Sequence, residues 1–275
     1  MLYAVGAQLP DYRVRAFNNA ADSTNLIHSD EHARRYGFRG GLVPGVSVFA
    51  YMSRSLVEFL GRPWLEHGAA DVLFRKPIYD GEDVRVSGSL TGVRQDGTLA
   101  IECQVCNSKG EVCATGAARL PPEAPPPEPA RDDFPAGRAG VGREISLDTL
   151  EIGEPLEPIT SEFNWTSHWE YCQKGIRDHH PLYRQTAHPG WLLTQANRLL
   201  AANYDLPPWI HAESAIQNYR AQDVEARVET RGRVADRFER KGHHFVVLDV
   251  ALFTEAGCLA RIRHAAIFSI APRAA

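Results

Sequence analysis

Pro44-Gly45-Val46-Ser47-Val48-Phe49-Ala50-Tyr51-Met52-Ser53-Arg54-Ser55-Leu56-Val57-Glu58-Phe59-Leu60-Gly61 is the stretch on which the fold turns. Apolar or small residues at Val46, Phe49, Ala50, Ser53, Leu56, Val57 and Leu60 keep the three-and-four spacing of an α-helix, and Gly61 with Pro63 stops it. One face of such a helix has to lie against something apolar. The sequence that follows supplies a sheet. Gly81-Glu82-Asp83-Val84-Arg85-Val86 opens an alternating strand, and Leu99–Val105 and Val112–Leu120 run into and out of a turn at Lys109-Gly110. These are long alternating strands of a curved antiparallel sheet, unlike the short apolar runs of a parallel one.

The same order recurs. His188-Pro189-Gly190 precedes Leu192, Leu193, Ala196, Leu199, Leu200 and Asn203, a helix that ends before Pro207-Pro208. Ala221-Gln222-Asp223-Val224-Glu225-Ala226 echoes the strand opening at Gly81, and a turn at Ala256-Gly257 lies between Phe245–Phe253 and Leu259–Ile270. The offset from Asp83 to Asp223 agrees within a few residues with that from Gly110 to Gly257, so the chain carries an internal repeat. Between the copies, Pro121-Pro-Glu-Ala-Pro-Pro-Pro-Glu-Pro129, running on to Pro135, can join neither a helix nor a sheet interior. The expected organisation is therefore a unit over residues 1–120, a proline-rich linker over 121–143, and a second, degenerate unit over 144–275. A long helix wrapped by a curved antiparallel sheet, made twice, is an α+β double hotdog whose halves pair as a pseudo-dimer, with further homo-oligomers of that unit possible.

The 275 residues, 44% hydrophobic and 23% charged, suit a folded chain, and 30 Lys+Arg against 34 Asp+Glu give a formal charge of −4 with no basic run for nucleic acid. Met1-Leu2-Tyr3-Ala4-Val5-Gly6 lacks the basic flank and long apolar run of an export signal. Phe245–Phe253 contains Asp249 and is under half the roughly 20 residues of a membrane span. A cytoplasmic protein with five reduced cysteines is expected. Cys103-Gln-Val-Cys106 has no second Cys-x-x-Cys pair to complete a zinc site, and a two-residue turn at Lys109-Gly110 sets Cys106 opposite Cys113. The neighbours His179-His180 and His243-His244 lack the helical spacing that aims two imidazoles at one ion, so no metal is expected.

The chemistry concentrates in Asn25-Leu26-Ile27-His28-Ser29-Asp30-Glu31 and Tyr36-Gly37-Phe38-Arg39-Gly40-Gly41-Leu42-Val43-Pro44-Gly45-Val46. Ser29 can cap a short helix whose first turn holds Asp30 and Glu31, with His28 just ahead of it. Gly40, Gly41 and Gly45 allow the backbone to approach a ligand. The long helix then starts with free N–H groups and a positive dipole end, where a thioester carbonyl can be held as it becomes enolate-like. Trp165, Trp169 and Trp191 read as core, and Arg39, Arg75 and Lys76 as isolated surface cations.

These residues resemble the MaoC-like dehydratases and (R)-specific enoyl-CoA hydratases of the hotdog superfamily. Their signature runs Asp, any residue, Asn, Pro, an aliphatic and His, then a short helix and a Gly-Phe turn into the central helix. Asn25, Ile27 and His28 match it, Leu26 replaces the proline, Gly37-Phe38 to Gly45 matches the turn, and Pro44 stands where the family usually has His. The likeness is strong over residues 17–120 and rests on repeat order over 144–270. It implies an acyl-CoA partner, no dissociable cofactor, His28 as the acid/base group, Asn25 as its orienting neighbour, and the amides of Gly45 and Val46 as carbonyl donors. Gly40, Gly41 and Pro44 would complete the substrate-binding turn. Only this resemblance to acyl-CoA enzymes would make the tryptophans the wall of an acyl tunnel and bring Arg39, Arg75 and Lys76 to the phosphates of coenzyme A. The family's catalytic Asp falls on Ser23, with Asp22 one residue upstream; either Asp22 completes the dyad or Ser23 only holds water there. In the second half Asp178 is in register, His180 replaces Asn, Pro181 matches, and Tyr183 occupies the His position, making Asp178 and Tyr183 secondary candidates. The implied activity is hydration or dehydration of a 2-enoyl/3-hydroxyacyl thioester. A hotdog thioesterase and a thioester binder without turnover are the rivals, and Glu58, the one acid on the first long helix, argues against hydrolysis by its place near the far end.

Overall fold

The computed structural model describes residues 3–123, 125–138 and 142–271; residues 1–2, 124, 139–141 and 272–275, from the N-terminal stretch, the proline-rich segment and the C-terminal tail, lie outside the described residues. Strands β1 (Tyr12–Arg15), β2 (Ala69–Phe74), β3 (Asp83–Val93), β4 (Leu99–Cys106) and β5 (Val112–Leu120) come from the first half. The second half supplies β6 (Ile159–Phe163), β7 (Ile210–Asn218), β8 (Ala226–Arg240), β9 (His243–Thr254) and β10 (Gly257–Ser269). They form one sheet in the order β1-β3-β4-β5-β2-β7-β10-β9-β8-β6, whose two halves mirror each other about the seam between β2 and β7. That seam is antiparallel from Ala69 opposite Gln217 to Leu73 opposite Glu213, so each half covers the edge the other would leave unpaired.

Five α-helices lie among the described residues: α1 (Asp30–Arg35), α2 (Gly45–Leu60), α3 (Arg62–His67), α4 (Trp165–Glu170) and α5 (Pro189–Asn203). The long α2 packs on β1, β3, β4, β5 and β7, α5 packs on β6, β8, β9 and β10, and the two helices touch each other. Phe49, Tyr51, Met52, Leu56 and Val57 of α2 are all buried, which is why its sequence is apolar over more than one face. Two helices, each wrapped by half of one antiparallel sheet, make a double hotdog, as the repeat predicts.

Several local expectations are corrected. Residues Ala221–Glu225 are a loop and β8 starts at Ala226, because Asp223 pairs with Arg62 and Glu225 accepts the Trp165 N–H instead of joining a ladder. The turn between β4 and β5 is longer than two residues: the Asn107 side-chain oxygen accepts from the N–H groups of Lys109 and Glu111, and the register shift places Cys106 opposite Val112, not Cys113. Nor is the proline-rich segment a bare strap. Phe134 is buried against Phe253, and Arg131 pairs with Glu229 on β8, so that part of it is fastened to the second half.

Candidate active site

His28 ends a single 3-10 turn, Leu26–His28, and Asn25 caps it by accepting the Ile27 N–H at 3.3 Å. The half-buried imidazole lies 2.7 Å, through Nδ1, from the carbonyl oxygen of Leu42. A carbonyl only accepts, so Nδ1 carries the proton and Nε2 presents its lone pair. Asn25 Nδ2 stands 3.4 Å from Nε2. Burial pushes the His28 pKa below its ordinary value, with the Leu42 carbonyl partly opposing, so the ring is neutral at pH 7 and Nε2, beside Asn25 Nδ2, keeps a lone pair that can take a proton.

Asn25 also ties the halves together. Its Nδ2 donates to the Trp209 carbonyl at 3.0 Å and its Oδ1 accepts the Trp209 N–H at 3.1 Å, as a neighbouring strand would. Truncation to alanine strands both buried main-chain groups of Trp209, so Asn25→Ala is expected to cost about 2–4 kcal/mol. Denaturant unfolding measures it, and a loss under about 0.5 kcal/mol, the level of an ordinary surface change, would show the clamp to be incidental.

The His28 ring lies on the wall of a cavity of about 290 Å³ between the halves, at the lower edge of the ligand-sized range of roughly 300–1,000 Å³. Val43, Pro44, Gly45 and Val48 form one side, Phe74 and Ile78 another, and Trp209, Ile210, His211 and Phe245 come from the second half. Asn197 of α5 also lines it, and its Oδ1 is buried with no hydrogen-bond partner among the described residues. Among the described residues no carboxylate lines this cavity. Arg75, Lys76 and Arg240, all exposed, do; Lys76 is paired with Glu111, while Arg75 and Arg240 have no carboxylate partner among the described residues. Arg39 is committed elsewhere, to Glu82 and to the Tyr79 ring.

The loop glycines act differently from the expectation. Gly41 lies against the His28 main chain, where an added Cβ would stand 2.0 Å from the His28 oxygen. Its N–H is taken by Asp30 Oδ1 at 2.8 Å. Gly40 likewise faces Asp30, and neither glycine lines the cavity. They fix the His28 loop and do not touch a ligand. Asp30 is thus drawn away toward the turn, and Ser29 precedes α1 without a side-chain cap bond. Pro44 and Gly45 reach the cavity and Val46 does not, although Gly45 and Val46 open α2 with N–H groups that no helical carbonyl can meet.

Asp22 and Ser23 are exposed and off the cavity wall, and Asp22 has no hydrogen-bond or ion-pair partner among the described residues, so it forms no dyad with His28. Ser23 bonds locally to the Asn25 carbonyl. The carboxylate in register is Asp178, and it is sealed away from the cavity. Its Oδ2 lies 3.2 Å from His188 Nε2, and its Oδ1 accepts from Arg54 at 2.9 Å and from the His180 N–H at 2.9 Å. His188 Nδ1 accepts the Gly190 N–H and so caps α5, which fixes the proton on Nε2 facing Asp178. Tyr183, fully buried, has its ring centroid 4.1 Å from that of His188, with the two planes tilted by 43°. His180 accepts the Leu182 N–H as Asn25 accepts that of Ile27, so the two halves share this capping geometry.

Three residues escaped the sequence reading. His188 could have been found, because it stands before α5 where Pro44 stands before α2. Trp209 and His211 carried no local signal. The tryptophans that were singled out form an aromatic cluster instead, Trp165 and Trp191 each edge-on to Phe163, with Trp169 exposed under Arg184, and none of them lines the His28 cavity.

No family model matches the chain and no curated protein matches it. Solved structures do resemble it along nearly its whole length. A protein described as a MaoC-like dehydratase is 14% identical with a TM-score of 0.65, over 96% of this chain and 98% of its own. A Mycobacterium tuberculosis protein described as having a double hotdog fold is 12% identical with a TM-score of 0.59, over 94% and 96%. An acyl-ACP thioesterase from Bacteroides thetaiotaomicron is 8% identical with a TM-score of 0.51, over 94% and 97%. The chain is a double hotdog protein, similar in fold to MaoC-like dehydratases. No helix among the described residues is long and apolar enough to cross a membrane.

Proposed function

We propose that the chain is an acyl-CoA hydro-lyase that interconverts a 2-enoyl thioester and its 3-hydroxyacyl partner with His28 as its acid/base group. The observation that carries this reading is the unprotonated Nε2 of His28 on the wall of an apolar cavity that also includes the first residue of α2. Hydration needs a base for water, an acid for the α-carbon and donors for the carbonyl oxygen. With no carboxylate on the wall, one imidazole performs both proton steps. Nε2 takes a proton from water as its oxygen adds to the β-carbon, and the imidazolium returns that proton to the α-carbon on the same face. The N–H groups at the start of α2 hold the oxygen that gains charge. Dehydration is the reverse.

Hydrolysis has weaker support, because Glu58 is bound to Arg54 and His180 and does not line the cavity. Binding without turnover is favoured by one observation, the exposed and unpaired Asp22. A panel of 2-enoyl-CoA esters separates the three. Loss of the conjugated enoyl absorbance without free thiol supports hydration, release of free thiol supports hydrolysis, and thermal stabilisation with neither supports a binding protein.

A further inference from the structure

His211, on β7 of the second half, is 5% exposed and lines the cavity opposite the His28 loop. Its Nε2 lies 2.7 Å from Ser214 Oγ, and the same hydroxyl lies 3.0 Å from Nδ1 of His264, which is wholly buried on β10. The two rings are 4.3 Å apart. Among the described residues the outer atoms of this chain, His211 Nδ1 and His264 Nε2, make no well-formed hydrogen bond, although the Glu213 main chain lies close to the His211 ring. His211 Nδ1 is pressed against the start of α2, since a Cβ added at Gly45 would stand 2.8 Å from it. Glycine is needed at 45 because this ring fills the place of a side chain.

A serine hydroxyl between two neutral imidazoles can run its hydrogen bonds in two directions. If His211 Nε2 donates to Ser214, the hydroxyl donates to His264 Nδ1, and the remaining proton sits on His264 Nε2 as a buried N–H with no acceptor. If His264 Nδ1 donates instead, Ser214 donates to His211 Nε2, and the remaining N–H is His211 Nδ1, buried against the start of α2 on a ring that lines the cavity. An orphaned buried N–H is costly, and only the second arrangement puts it on the ring that lines the cavity, where a small turn of the ring away from Gly45 would uncover Nδ1 to a ligand acceptor.

We infer that His211 is a second donor to the thioester carbonyl oxygen, acting beside the first amides of α2, with Ser214 and His264 as positioning residues that keep its proton on Nδ1. This rests on the acyl-thioester reading above. It joins the halves into one site: the first contributes the base and the helix start, the second the imidazole that polarises the carbonyl.

The test uses the full chain and crotonyl-CoA with an isotopic label at the thioester carbonyl. His211→Phe keeps a ring in the slot and removes the donor. Its kcat is expected to fall by about 10²–10³-fold, the usual effect of losing one oxyanion donor, with KM little changed. The infrared carbonyl band of the bound thioester should move back toward its solution frequency. Ser214→Ala leaves the ring but frees its tautomer, and it should show the same changes to a smaller degree, so the idea stays testable if His211→Phe does not fold. An unchanged carbonyl band and kcat in both variants would overturn the inference while leaving the hydratase reading intact. If the wild-type protein binds crotonyl-CoA without converting it, the hydratase reading fails, and the carbonyl band alone still decides the role of His211.

Discussion

Replacing His28 with alanine is expected to lower turnover of a 2-enoyl thioester by about 10²–10⁴-fold, the range over which a positioned acid/base group acts. The accompanying stability loss should be only about 1 kcal/mol, for the hydrogen bond to Leu42. The pH profile makes the assignment sharper. A base works in its deprotonated form, and burial holds the His28 pKa below the ordinary 6.5. The wild-type kcat/KM should therefore be flat through neutral pH and fall only as pH drops through that lowered value. In His28→Ala the residual rate should lose this acid limb. A variant that keeps both the rate and the limb would place the base elsewhere in the cavity.

How much of this could be read before the structure follows from the range of each interaction. The helix α2 and the long strands were legible because their patterns repeat within a few residues. The nearness of Asn25 to His28 was expected from the family resemblance, whereas the Asn25 cap on the Leu26–His28 turn was not read from the sequence. The same locality explains the errors. Ser29 and Asp30 do stand at the N-cap and in the first turn of α1, but Ser29 makes no side-chain cap bond and Asp30 Oδ1 accepts the N–H of Gly41, a contact that a reading of helix ends does not include. Gln222 and Val224 alternate like a strand, yet Arg62 from the first half holds Asp223 in a loop. The missed site residues, Trp209 and His211, reach the cavity only through the seam between β2 and β7, and no periodicity links position 25 to position 209 or position 45 to position 211. The halves could be recognised separately; the surface they build together could not.

Asp178 gives the largest expected effect on stability. Burial alone would raise its pKa, but the bond from His188, that residue's charge when protonated, the His180 N–H and Arg54 together hold the carboxyl below its ordinary value. His188 is shifted down by its own burial, so the pair at neutral pH is a carboxylate accepting from a neutral ring, with Arg54 as the compensating cation. Asp178→Ala leaves Arg54 half covered without its partner and His188 with a stranded donor. The expected cost is about 3–5 kcal/mol, as for other buried pairs broken from one side, or a fall in melting temperature on the order of 10 °C for a chain of this size. The sign with pH follows from the lowered pKa. This contribution is present above the unfolded value of 3.8 and is lost as pH falls through the folded one, so wild type and variant should converge in strong acid. Because Asp178 and His188 lie off the cavity wall, any folded variant should keep its affinity for an acyl thioester. Lost turnover with stability intact would instead make the sealed Asp178–His188 cluster a second reaction centre, and its reading as a purely structural pair would have to be given up.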